Sequence, residues 1–177
     1  MAVFGKSPID PSILAGEIIS ALRCEKRDGR RKWNKTVRRL LCGLADPKLY
    51  LVHPDAREGC GEWLLDVIWF TRKQGTILLA VEVELGTKKN EVLYDFQKLL
   101  CIKAPLKVMV YYAYRGSYMN EFENYVKDFD HHVRGEQYLL VEMAPGPSDQ
   151  AYLYDVRKDG QQSRVRFSHL GLTGSCR

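Results

Sequence analysis

Apolar residues recur at helical intervals in the first quarter of the chain. Between residues 13 and 22 they are spaced by three and four positions, and Asp10 and Pro11 suit an N-cap and the first helical position. This pattern predicts a helix through about residue 26. A second helix is predicted from about Arg30 to Leu44. Its inward positions are Trp33, Val37, Leu40, Leu41 and Leu44.

Shorter apolar runs, rich in β-branched and aromatic residues, fill most of the remaining chain. The runs at 62–71 and 76–84 are almost continuously hydrophobic, which indicates burial on both faces in the middle of a mixed sheet. The predicted elements are strands at 48–53, 62–71 and 76–84, a helix at 91–103, a strand at 107–113, a helix at 119–133, a strand at 137–143 and a hairpin built from 151–156 and 164–167.

This order of elements predicts one α/β domain with a central mixed sheet covered by helices. A strand–helix–strand unit of this kind usually forms a right-handed parallel crossover. The domain is expected to span residues 1–177. Its parts are a basic helical segment at 1–44, the core sheet and helices at 48–143, and a C-terminal hairpin at 150–169.

Composition narrows the class of protein. The 177 residues are 45% hydrophobic and include ten tyrosines, enough for a substantial core. No apolar run approaches the roughly 20 residues that cross a bilayer, and the first residues lack a signal-peptide core. We therefore expect a soluble, cytoplasmic protein without a membrane partner. Five scattered cysteines without a Cys-x-x-Cys pair argue against a zinc site or a disulfide framework.

Positive charge is concentrated in the N-terminal quarter. The chain carries a net charge of +5. Residues 1–44 hold ten Lys or Arg and four Asp or Glu, a net of +6, so the remainder has a net of −1. The second helix is a candidate for contact with a nucleic-acid backbone, and a solvated helix face is the alternative. Its basic residues are Arg31, Lys32, Lys35, Arg38 and Arg39.

Two apolar runs contain carboxylates that such runs normally exclude. Asp66 lies between Leu64-Leu65 and Val67-Ile68, and Glu82 and Glu84 flank Val83. Because strand side chains alternate, Glu82 and Glu84 leave one face, and a hairpin would place Asp66 beside Glu82. An acidic cluster is unfavourable unless a cation or a proton neutralises it. The alternatives are strand-end glutamates paired with Lys or Arg, and a buried Asp66 satisfied by backbone donors.

Carboxylate oxygens in this arrangement suit Mg²⁺, which needs few protein ligands, and Mn²⁺ as its substitute. Asp66 and Glu82 are the predicted metal ligands, and the Val83 carbonyl is a further candidate. A metal here would polarise a phosphodiester and lower the pKa of a bound water. Glu84 would bind a second ion or orient the attacking water as a base.

Asp66, the segment Ala80-Val81-Glu82-Val83-Glu84, the helix after it and the strand beginning at Val108 together resemble the PD-(D/E)xK, or restriction-endonuclease-like, superfamily. The α-β-β-β-α-β-α-β core of that superfamily follows the order predicted over residues 11–143. The resemblance implies magnesium-dependent cleavage of DNA, with Asp66 and Glu82 as the metal-binding acids and Glu84 at the third motif position. Glu17 resembles the additional acid that some members carry on their first helix. The same analogy suggests a homodimer.

One position departs from the family pattern. The superfamily usually has Lys where this chain has Glu84, although some restriction endonucleases have Glu there. Others recruit a lysine from the following helix, and Lys98 is similar to that migrated residue. Helical geometry places Lys98 away from the apolar stripe, so a solvated lysine is the alternative, and Lys88 or Lys89 is a further candidate. The departure also supports a second hypothesis, a nuclease-fold module that binds nucleic acid or a protein without turnover.

Overall fold

Seven strands and four helices make up the described part of the chain. The computed structural model describes residues 9–25, 31–53, 64–73, 75–86, 88–113, 116–144, 148–159 and 162–170. Side chains are not described at 25, 31–33, 157–159 and 162–165. The elements are α1 (Pro11–Glu25), α2 (Arg31–Leu44), β1 (Tyr50–His53), β2 (Val67–Thr71), β3 (Ile77–Glu84), α3 (Lys89–Cys101), β4 (Leu106–Tyr112), α4 (Met119–Asp128), β5 (Gln137–Met143), β6 (Gln150–Asp159) and β7 (Gln162–Leu170).

The strands form one mixed sheet in which each strand lies beside its neighbour in sequence. β1, β2 and β3 are antiparallel to one another, β3, β4 and β5 are parallel, and β6 and β7 return antiparallel. The parallel connections pass through α3 and α4, as a parallel pair requires a crossover. The expected mixed sheet flanked by helices is confirmed.

Alternation along the strands divides the core into two layers. Residues such as Val81 and Val83 of β3 pack with the apolar sides of α1 and α2. Ala80, the neighbouring residue of β3, packs on the other face with Phe96 of α3 and Phe122 of α4. Because side chains alternate with a period of two, Glu82 and Glu84 belong to the face of Ala80. β3 is therefore buried on both sides, which explains its nearly continuous hydrophobicity.

Several predicted boundaries were wrong. The strand predicted from 62 begins at Val67, and residues 62 and 63 lie outside the described chain. The helix predicted to 133 ends at Asp128, because Phe129 adopts an extended backbone with ψ 108°. Both hairpin strands are longer than their apolar runs, since backbone pairing continues to Asp159 and Gln162 without requiring apolar side chains. Leu44, predicted inward, is 36% exposed at the end of α2.

The side chain of Trp33, the other predicted inward residue at the start of α2, lies outside the described side chains. None of the helices in the described part of the chain is long and apolar enough to cross a membrane.

Candidate catalytic site

The β2–β3 hairpin brings the predicted acids together. Val67 of β2 pairs with Val81 of β3 in antiparallel register, so Asp66, immediately before β2, lies beside the Glu82–Val83 end of β3, where it accepts a hydrogen bond from the Val83 N–H. The negative charge of Asp66 contributes to raising the pKa values of both Glu82 and Glu84, which places the three carboxylates in one electrostatic neighbourhood, although burial is the larger cause for each. The hairpin predicted from the sequence therefore positions the acidic cluster.

Glu82 is the most deeply buried acid of this cluster, with 2% of its surface exposed. Loss of hydration raises its pKa to about 8, and the neighbouring charges of Asp66 and Asp95 act in the same direction. The Lys98 ammonium opposes this rise from 2.5 Å, measured from Nζ to Glu82 Oε1. Glu82 is thus a carboxyl group whose charge depends strongly on the cations around it.

Lys98 reaches this buried acid from α3. Its Nζ also lies 2.8 Å from Oδ1 of Asp95, one turn earlier on the helix. Burial by itself would lower the pKa of Lys98, but the contacts with Asp95 and Glu82 raise it, so the side chain is held as a cation. Only 19% of the side chain is exposed. Its long apolar stem reaches from the flank of α3 to the sheet. Helical geometry alone had also allowed a solvated lysine at this position.

Asp66 has partners for both of its oxygens. Oδ2 accepts a hydrogen bond of 2.8 Å from the Val83 backbone N–H, and Oδ1 accepts one from Nη2 of Arg38. The Val83 N–H is a backbone donor of the kind expected under the alternative interpretation, in which a buried Asp66 is satisfied by the backbone. The second contact places Arg38 inside the site, whereas the sequence had suggested a contact with phosphate.

The Val83 carbonyl is also occupied. Asn34, one turn before Arg38 on α2, donates from Nδ2 to this oxygen at 3.1 Å. Asn34 and Arg38 are four residues apart and therefore share one face of the helix. α2 consequently binds the end of β3 and Asp66 through two polar contacts.

Glu84 folds back on the loop that follows its strand. Its Oε1 accepts a hydrogen bond of 2.5 Å from the Gly86 N–H. Burial raises the pKa of Glu84, this backbone contact lowers it, and the charge of Asp95 raises it again. A Cβ on residue 86 would lie 2.4 Å from Glu84 Oε1, so a side chain there would displace the flexible end of this glutamate.

The other predicted site residues lie apart from the acids. Lys88 pairs with Glu91 at 2.8 Å and Lys89 pairs with Glu121, so neither contacts Glu82 in the described chain. Glu17 is exposed on α1, and none of its described contacts joins it to the acidic cluster. Lys35 and Arg39 are exposed on α2, while the side chains of Arg31 and Lys32 lie outside those described.

The donor chemistry of the cluster suits a hard divalent cation, but the contacts observed satisfy it internally. Asp66 is paired with Arg38 of α2, and Glu82 is paired with Lys98 of α3. Those helices cover opposite faces of the sheet. In the described residues, no group of three or more His, Cys, Asp or Glu side chains is arranged to hold a metal ion. A cation bound by Asp66 and Glu82 would therefore compete with two protein cations.

Sequence reasoning missed Asp95 and Asn34. Asp95 precedes Lys98 by three residues, the spacing of a helical ion pair, and this was the available signal. Asn34 carried no signal, since its partner is a backbone carbonyl.

A second buried polar cluster was also missed. Lys107, fully buried, lies 3.1 Å from Glu136 and 2.8 Å from the hydroxyl of Tyr138, and His132 contacts the same carboxylate at 3.1 Å. Burial lowers the pKa of Lys107 to about 8, although Glu136 acts in the opposite direction. The cluster lies at the start of β4 and β5, whereas Glu82 and Glu84 lie at the end of β3.

Comparison with known proteins gives no matching family model, no matching curated protein and no matching solved structure.

Proposed function

We propose that this protein is a magnesium-dependent nuclease of the restriction-endonuclease-like class that cleaves DNA. The contact between Lys98 Nζ and Glu82 Oε1, at 2.5 Å, is the observation that carries the proposal. Lys98 lies on α3, the helix that follows β3, and contacts Glu82, which is the second acid of the family motif. That is the position from which a migrated lysine would replace the one missing at Glu84.

The order of elements supports the same class. Over residues 11–143, leaving out α2, it runs α, β, β, β, α, β, α, β, the sequence of elements that the resemblance implies. Asp66 immediately precedes β2, and Glu82 lies on β3, which pairs antiparallel with β2. The third motif residue, Glu84, ends the same strand as Glu82.

Each residue of the candidate site would have a distinct role in the cleavage reaction. Asp66 and Glu82 would provide the oxygen ligands for Mg²⁺, which when bound polarises a phosphodiester and lowers the pKa of a water. Lys98, held as a cation beside Glu82, would offset charge that develops on the phosphate. Glu84, whose pKa is raised, first by burial, would accept a proton more readily than an ordinary glutamate.

Plasmid cleavage in Mg²⁺ tests this assignment. Asp66→Ala, Glu82→Ala and Lys98→Met should each reduce the rate by about a hundredfold or more, because each removes a group that acts on the phosphate or its cation. Lys127→Met is the matched control for Lys98, since it removes a lysine from an exposed ion pair with Glu123 on α4. Cleavage that survives Asp66→Ala or Glu82→Ala would refute the assignment.

A second candidate function is a nucleic-acid-binding or protein-binding module that has lost turnover. The internal neutralisation of Asp66 by Arg38 favours it, as does the presence of Glu84 in place of the motif lysine. Metal-independent DNA binding with no cleavage in any divalent ion would support this candidate over the nuclease.

The exposed residues of α2 provide a test common to both candidates. Lys35→Gln with Arg39→Gln should flatten the dependence of DNA affinity on salt by about 0.9 in logarithmic slope for each phosphate contact removed. Lys48→Gln with Lys73→Gln removes equal charge from exposed positions outside α2 and is the control. An unchanged slope would remove α2 from the interface.

A further inference from the structure

We infer that Arg38 is the internal counter-ion of Asp66 in the candidate site, and that a divalent cation must displace it. This inference rests on the proposed function and adds a residue that the family resemblance does not supply. It also replaces the phosphate-binding role that the sequence suggested for Arg38.

The guanidinium of Arg38 occupies the Asp66 oxygen that a cation would need. Oδ2 is engaged by the Val83 N–H at 2.8 Å, so Oδ1 is the oxygen left for a cation. Nη2 of Arg38 donates to that oxygen. Mg²⁺ binds carboxylate oxygens directly, so a metal ion on Oδ1 would lie against the guanidinium, and the two positive charges would repel each other. Arg38 and the metal therefore compete for one atom.

The pairing of Arg38 with Asp66 is weaker than an arginine–carboxylate pair can be. A bidentate pair uses two parallel N–H donors, whereas here one donor reaches Asp66 and Nε is buried without an acceptor among the described residues. Leaving a buried donor unsatisfied is unfavourable. Because 41% of the Arg38 side chain is exposed, the guanidinium can leave toward solvent without crossing the core.

The contact of Asn34 with β3 keeps α2 attached to the end of the strand when Arg38 moves away from Asp66. Asn34 donates to the Val83 carbonyl at 3.1 Å, a hydrogen bond that does not involve Arg38 or Asp66. The Val83 N–H continues to orient Asp66. The carboxylate thus remains in place for a cation.

Removing the positive charge of Arg38 should strengthen cation binding. Arg38→Gln deletes both the competitor for Oδ1 and the repulsion between a guanidinium and a divalent ion. Because the pair is partly exposed and screened, we expect an increase of about tenfold in Mn²⁺ affinity. Arg38→Lys keeps the charge and should remain within about twofold of the wild type. A purely structural role for Arg38 gives the opposite sign, a loss of affinity in both variants.

The experiment is a Mn²⁺ titration followed by electron paramagnetic resonance of the free ion. The wild-type chain is compared with Arg38→Gln and Arg38→Lys, and Arg39→Gln is the control for the loss of one positive charge from the exposed side of α2. In the wild-type protein, the side-chain NMR signals of Arg38 should also shift on addition of Mg²⁺. That measurement does not depend on the folding of any variant.

The outcomes separate this inference from the nuclease proposal. Tighter Mn²⁺ binding by Arg38→Gln alone, with a Mg²⁺-dependent shift of the Arg38 signals, supports the inference even when no cleavage is found. Equal affinities for Arg38→Gln and Arg39→Gln, or weaker binding by Arg38→Gln, overturn the inference and leave the nuclease standing. Absence of Mn²⁺ binding in both the wild-type chain and Arg38→Gln overturns both.

Discussion

The buried Glu82 should make the protein less stable as the pH rises. Its folded pKa is raised to about 8, chiefly by burial, from an ordinary value of 4.5. Between those two values the folded protein holds a proton that the unfolded chain has lost. Stability is therefore highest below pH 4.5 for this group, falls through the interval, and reaches its lowest contribution above pH 8.

The size of this effect follows from the pKa difference. One pKa unit corresponds to about 1.36 kcal/mol, so Glu82 should lower the free energy of unfolding by about 4 kcal/mol between pH 5 and pH 8.5. Glu82→Gln replaces the carboxyl group with a neutral amide of similar shape. The variant should match the wild type at pH 5 and exceed its stability at pH 8.5, and Asp95 would still pair with Lys98.

Urea unfolding at both pH values measures this difference directly. Glu91→Gln, which neutralises an exposed glutamate on the same helix as Lys98, is the control and should change the two free energies equally. Because the comparison is made between variants, the titration of other groups such as Lys107 cancels. A Glu82→Gln protein that loses stability with pH as steeply as the wild type would refute the reasoning.

Three further results are expected. Asp66→Ala should lower the free energy of unfolding by about 2–4 kcal/mol in urea, because the Val83 N–H and Arg38 both lose their acceptor. Asp66→Asn should cost less, because it retains one carbonyl oxygen, and an equal loss would show that the hydrogen bond from Val83 is unimportant. Lys107→Met should destabilise the protein by about 3 kcal/mol, because it leaves the buried Glu136 without its lysine partner. Lys127→Met is the control, and equal urea midpoints for the two variants would contradict this expectation.

The fold class was predictable because the apolar residues of most helices and strands follow the spacing typical of those elements. The apolar runs around Val67 and Ile77 are long and β-branched, so the hairpin that they form required no tertiary information. The end of α4 was not predictable in this way. The chain leaves the helical path after Asp128, and the His132 ring then contacts the Val126 carbonyl of α4 and the Glu136 carboxylate, polar contacts that the apolar periodicity does not encode.

The acids of the candidate site were predictable, but their counter-ions were only partly so. Asp66 and Glu82 stood out because carboxylates are rare within apolar strands. Lys98 was left between two interpretations, since helical geometry describes where a side chain begins and not where a long flexible stem ends. Arg38 was placed on the surface with its basic neighbours because nothing in the sequence distinguishes one arginine of a basic helix from the next.

The period-two alternation of β3 explains why the site is divided between two layers. Val83 packs against α1 and α2, so the backbone at that residue is within reach of Asn34, and Asp66, bound to its N–H, is within reach of Arg38. Glu82, one residue earlier, faces α3 and is therefore reached by Lys98. A ligand that draws Asp66 and Glu82 to one point must change contacts with both layers at once. A cation proposed to bind both acids would therefore have to replace the contact of Asp66 with Arg38 on one layer and that of Glu82 with Lys98 on the other.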